Sequence, residues 1–146
     1  MRPELQRALV SEIIKGRGAY EGVMEGEALV LPDSVQGWAG LDERTGKIIE
    51  EANSKCGAYV GGKIIILPGA KGSNGWASHW NAAAEAGHKP LAWVIEKLDS
   101  RCAACIVELG IPTVVETEVE ACQVVHDGDW VRVDGDNGIL EIIRRA

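Results

Sequence analysis

Apolar residues come in short runs cut by glycine and proline, and the runs follow two different periods. Residues 63–67 are a β-branched apolar run stopped by Pro68 and Gly69, the pattern of a buried strand. Residues 76–86 are mostly good helix formers, and Gly87 followed by Pro90 ends them. Residues 91–95 predict the next strand. Asp99 or Ser100 can cap a helix over 101–109, Gly110 ends it, and 111–115 predict another strand. A β-α-β-α-β order of this kind favours a parallel sheet.

The flanks read differently. Residues 3–8 suggest one exposed helical turn, and residues 9–15 a first strand broken by Gly16-Arg17-Gly18. Residues 23–31 suggest a second strand, with a bulge at Gly26. Residues 32–46 form a long loop carrying Ser34, Gln36, Trp38 and Asp42. It is either functional or a surface loop with Trp38 pinned into the core. Residues 48–60 have no regular period. Near the end, 130–134 alternate apolar and polar, 135–138 (Gly-Asp-Asn-Gly) make a hairpin turn, and 139–143 return as a strand. The expected fold is α/β: a central mostly parallel sheet with hairpin strands and flanking helices, in a single domain over residues 1–146.

Composition narrows the function. Fifteen basic against 22 acidic residues give a net charge of −7, which argues against nucleic acid or an anionic membrane as partner. The N-terminus has no signal-peptide pattern, and no apolar run is long enough to span a bilayer, so a cytoplasmic location is expected. The four cysteines are then expected as thiols. Cys102-x-x-Cys105 lies in an apolar helical stretch without a second ligand pair nearby. It reads as two buried helical cysteines rather than a metal site.

The candidate chemistry sits in the turn 70–75, between the central strand and its helix. Amides at the helix start, with the positive end of its dipole, can hold an anion or a developing negative charge beside Ser73. Lys71 adds a positive charge. The plainer alternative is that Ser73 or Asn74 caps the helix. The turn is not a phosphate-binding P-loop, because Lys71 precedes Gly72 instead of following the second glycine of that motif. His79 follows Ser78 on the helix and reads as a polar or interface residue. His88 and His126 fall in turns and read as solvated.

Several pieces, in order, carry a family resemblance. They are 25–30 (Glu-Gly-Glu-Ala-Leu-Val), 38–42 (Trp-Ala-Gly-Leu-Asp), Thr45-Gly46, 62–68, Lys71-Gly72-Ser73, 110–115 and the hairpin 128–134. Together they resemble the small subunit of the aconitase X family, the swivelling β/β/α domain of the aconitase superfamily. The resemblance implies a hydro-lyase (dehydratase) subunit, inactive alone, that pairs with a large catalytic subunit. That subunit would carry the iron or iron–sulfur centre, hold the leaving hydroxyl and make most substrate contacts, with no cofactor in this chain. It also implies that Ser73 is the base. Lys71, Gly72, Asn74 and Gly75 would shape its surroundings, and Trp38 with Gly40 would form the facing wall against a small-molecule substrate.

Two places depart from the family pattern. Ser73 is followed by Asn74-Gly75-Trp76 where further small hydroxyl residues are usual, and Gly37 precedes Trp38 in place of a Ser-Phe run. Both fall where substrate would sit. With Lys71 the one evident cation, the expected substrate is a hydroxyproline-like or other small hydroxy acid. The alternatives are phosphomevalonate, or a non-catalytic binding or regulatory module using Trp38, Trp76 and Trp80 as a partner surface. The stretch from Arg101 to Pro112 also resembles phosphohistidine swivelling domains. Arg101 stands where the phosphorylated histidine would be, so only shared architecture is read from it.

Overall fold

The structure is a computed structural model that describes residues 9–146; the expected helical turn over 3–8 lies outside the described residues. Four parallel strands form its centre: β3 (Val23–Val30), β6 (Ile64–Leu67), β7 (Ala92–Ile95) and β8 (Thr113–Val115). Helix α1 (Trp76–Ala83) connects β6 to β7, and α2 (Ser100–Leu109) connects β7 to β8. Strands β9 (Trp130–Asp134) and β10 (Ile139–Arg144) form the expected hairpin, which continues the sheet antiparallel from β3. The sheet is therefore mixed, with its parallel character confined to the four central strands.

The edges are where the sequence was least legible. Strand β1 (Leu9–Lys15) pairs with β10 on one side of the sheet, and β2 (Arg17–Tyr20) pairs with β8 on the other. One chain segment, bent at Gly16, therefore serves both edges and draws the sheet round on itself. The expected break at 16–18 is a bend followed at once by another strand. The closure is tight: a Cβ on Gly135 would lie 1.8 Å from the Tyr20 carbonyl, and one on Gly18 would lie 2.1 Å from that of Gly135. Gly26 makes no bulge. Its register with β9 is regular, and its missing side chain makes room for Leu91 and Ile64.

Strand β6 is buried on both faces, which explains its unbroken apolar run. Ile65 and Leu67 face the helices, with Trp76, Trp80, Trp93, Cys102 and Cys105. Ile64 and Ile66 face the hairpin side, with Val131, Val133, Leu140 and Ile142. Three indoles join α1 to β7: Trp80 meets Trp93 edge-on at 4.8 Å, and Trp76 lies 5.8 Å and 6.0 Å from the two. Trp76 and Trp80 are thus core, which removes them from any partner surface. On the outer face of β9, Arg132 bridges Glu25 and Glu141 across three strands.

Both helix ends follow from local chemistry. Asp99 accepts the Arg101 and Cys102 amides and caps α2, which Gly110 ends in the left-handed conformation. Past Ala83, α1 widens into a π turn over Ala84–His88 and stops at Gly87, where φ is 98°. His88 is half-buried, and its ring is held: Nε2 donates to the Arg44 carbonyl at 2.7 Å, and Nδ1 meets the Tyr59 hydroxyl at 2.8 Å. A short helix, α3 (Ala121–Val124), and a two-stranded ribbon of β4 (Leu41–Asp42) and β5 (Lys47–Ile48) had no period to announce them.

Candidate active site

The carboxyl ends of β3, β6 and β7 open onto one crevice of about 520 Å³, the usual place for a ligand at a parallel sheet. Its walls come from three loops: Pro32, Asp33 and Ser34; Pro68 to Lys71; and Lys97, Leu98, Asp99 and Arg101. Ser34 is buried with φ at 54°, and its hydroxyl donates to the Gly69 carbonyl, which ties the first loop to the second. Asn53, buried beneath, donates to the Ser34 carbonyl at 2.8 Å and to Glu50 at 3.1 Å. This asparagine lies in the stretch that looked irregular, and periodicity gave no sign of it.

Lys71 is held from below, between Glu50 (2.9 Å) and the Asp33 carbonyl (3.4 Å). Burial pushes the Glu50 carboxyl up, but the bonds from Lys71 and Asn53 outweigh that and hold it below its ordinary range. The charge expected to serve Ser73 is therefore largely spent on Glu50. A second cation, distant in sequence, holds the residue next to the serine. Arg101 donates from Nη1 to the carbonyl of Gly72 at 2.6 Å, and from Nε and Nη2 to Asp99 at 3.1 Å and 2.6 Å. Paired with Arg101, the Asp99 carboxyl sits below the usual carboxylate range.

Ser73 is exposed on the loop that follows, two residues past Lys71, and does not line the crevice. Its oxygen accepts one amide, that of Gly75, at 3.3 Å. The Trp76 amide is taken by the Ser73 carbonyl at 3.2 Å, and no side chain caps α1. The expected convergence of several amides and Lys71 on the hydroxyl is thus not present among the described residues. Asn74 is exposed beside it, and Gly75 is the first residue before α1. Gly72 holds φ at 85°, a conformation that favours glycine, and its Cα faces Gln36.

The other expected wall residues lie one loop away. Trp38 is 76 % exposed and leans edge-on against His79 at 5.7 Å, so it is not pinned in the core. It lines a second hollow of about 550 Å³ with Leu41, Ile49 and His79, whose Nδ1 lies 2.6 Å from Glu43. Gly40 is buried, and a Cβ there would lie 2.0 Å from the Gln36 carbonyl, so it closes the turn that presents Trp38.

Among the described residues, no group of three or more His, Cys, Asp or Glu is placed to hold a metal ion. Cys102 and Cys105 are buried in the core, and burial pushes both thiols up. These side chains do not fit an iron–sulfur centre. No helix among the described residues is long and apolar enough to cross a membrane.

This arrangement matches known proteins over most of its length. A family model described as the aconitase X swivel domain matches residues 13–142. The phosphomevalonate dehydratase small subunit of Methanocella arvoryzae is 34 % identical over 129 residues, covering 88 % of this chain and 98 % of that one. Its namesake from Pyrococcus furiosus is 34 % identical over 133 residues, covering 91 % and 97 %. The crystal structure of Thermococcus kodakaraensis aconitase X in its holo form superimposes with a TM-score of 0.84 at 28 % identity, over 91 % of this chain and 99 % of that one. With the family model spanning most of its length and relatives of the same size at 34 % identity, the chain belongs to the aconitase X swivel-domain family.

Proposed function

We propose that Ser73 is the general base of a dehydratase in which this chain is the small subunit. The reaction removes a proton from one carbon and a hydroxide from its neighbour, and a C=C bond forms between them. Ser73 takes the proton; the departure of hydroxide belongs to the large subunit. The observation that carries this reading is the exposed Ser73 hydroxyl, two residues beyond Lys71 of the crevice wall, on a loop tied down through Lys71 and Arg101.

A serine hydroxyl becomes a base only when donors or cations stabilise its alkoxide. Among the described residues it has a single amide at 3.3 Å. The remaining stabilisation comes from the large subunit, which explains why the chain is inactive by itself. The iron–sulfur centre belongs to that subunit as well, since this chain's own cysteines are unsuited to it. A cytoplasmic complex fits this assignment.

For the substrate, a phosphorylated hydroxy acid of the phosphomevalonate type replaces the hydroxyproline-like acid favoured by the sequence. In the sequence, Lys71 is the one evident cation of the turn. Lys97 lines the same crevice, and the relatives at 34 % identity carry the phosphomevalonate name. The test is Ser73→Ala in the complex reconstituted with its large subunit and assayed with phosphomevalonate. Assembly is expected to be intact, with turnover lowered by about 10²–10⁴-fold, the usual worth of a general base. Near-normal turnover would remove Ser73 from the mechanism.

A further inference from the structure

We infer that Arg101 is a positioning residue for Ser73, acting through the carbonyl of Gly72. This rests on Ser73 being the base. The guanidinium spans two elements. Its Nε and Nη2 hold Asp99, the residue that caps α2, and its Nη1 holds the Gly72 carbonyl at 2.6 Å. The peptide unit so held is the one that joins Gly72 to Ser73. Gly72 sits at φ 85°, and glycine has more freedom than any other residue to leave such a conformation, so its carbonyl needs an external tie to keep one direction. The loop's own ties at the serine are long ones, 3.3 Å from the Gly75 amide to the Ser73 hydroxyl and 3.2 Å from the Trp76 amide to the Ser73 carbonyl, and neither touches the Gly72 carbonyl. Lys71 cannot take over, because its ammonium is engaged by Glu50 and the Asp33 carbonyl.

Only a planar, forked cation can hold Asp99 with one side and Gly72 with the other. A lysine at 101 offers a single point charge and would keep one contact or the other. The phosphohistidine-domain likeness singled out this position for a different chemistry. The structure gives it a clamp instead, built from the start of α2 to the loop that opens α1.

The test uses Arg101→Gln and Arg101→Lys in the two-subunit enzyme, with amide hydrogen exchange on the full-length chain as a second readout. Arg101→Gln is expected to lower kcat by tenfold or more with KM within about twofold. Added guanidinium is expected to restore part of the loss, and lysine little of it. Exchange at the Gly75 and Trp76 amides, both bonded to Ser73, is expected to quicken, while those in the body of α2 stay as protected as before. Asp99→Asn, which keeps a good cap but loosens the fork, is expected to give the same changes in smaller measure, and it decides the matter if Arg101→Gln does not fold. Unchanged kcat, a loss confined to KM, or a fall in kcat with unchanged exchange at the Gly75 and Trp76 amides would each overturn the clamp. Failure of the base reading looks different: Ser73→Ala would then keep its turnover, while exchange in Arg101→Gln would still quicken.

Discussion

The Ser73 hydroxyl has one amide within its own loop and open solvent beyond. Sequence alone could mark this residue, because a glycine-rich turn between a buried strand and a helix is a legible pattern. It could not say which cation would attend it. Lys71 is two residues away in the chain, yet Glu50 and the Asp33 carbonyl claim it. Arg101 is distant in sequence, yet it holds the neighbouring carbonyl. Such a pairing depends on where α2 begins relative to α1, and no local window contains that. Glu50 itself supplies a test at this scale. Removing its charge with Glu50→Gln frees the Lys71 ammonium to move toward an anionic ligand, so a lower KM for a phosphorylated substrate is expected in steady-state assays. An unchanged or higher KM would mean that the ion pair fixes Lys71 where the ligand needs it.

At the scale of elements, the helices and central strands were read closely because their periods and stops are local. Asp99 is an example, named beforehand and found accepting the Arg101 and Cys102 amides. Asp99→Ala is expected to cost about 1 kcal/mol and to lower the midpoint of thermal unfolding, while Asp99→Asn stays within a few tenths of the parent. Equal losses for the two would place the effect in the Arg101 pair and not in the cap. What escaped the sequence were pieces shaped by partners. Strand β2 is four residues long, includes Gly18 and owes its existence to pairing with β8. The bulge expected at Gly26 failed for a related reason: the glycine there answers to Leu91 and Ile64 packing across it, not to its own strand.

At the scale of the molecule, closure of the sheet is the feature that local reasoning could not reach. It relies on contacts without side chains between β2 and the hairpin turn. Gly135→Ala would drive a methyl group into the Tyr20 carbonyl at 1.8 Å. A loss of several kcal/mol is expected from such overpacking against backbone, seen as a sharp drop in thermal midpoint or insoluble protein; a midpoint within a degree or two of the parent would show that the edges are not locked there. The C-terminal residues are fastened by Asp129. Burial pushes its carboxyl up, but the amides of His126 and Ala146 and the guanidinium of Arg145 more than offset this and hold it below the ordinary range. The folded form therefore binds a proton less readily than the unfolded chain. Its contribution is whole above the unfolded carboxylate value, about 4, and is lost as pH falls through the lower folded value. Asp129→Asn is expected to lower the thermal midpoint at neutral pH and to flatten its decline in acid; an unaltered acid limb would assign that decline to other carboxylates.

The central claim is that this chain offers a serine to a reaction completed by a second polypeptide. The most direct measurement is a crystal structure of the two-subunit complex with phosphomevalonate bound. The expected result is the Ser73 oxygen within hydrogen-bonding reach of the carbon that loses its proton, with further donors from the large subunit around it. A complex in which Ser73 stays in solvent while another group occupies that position would contradict it.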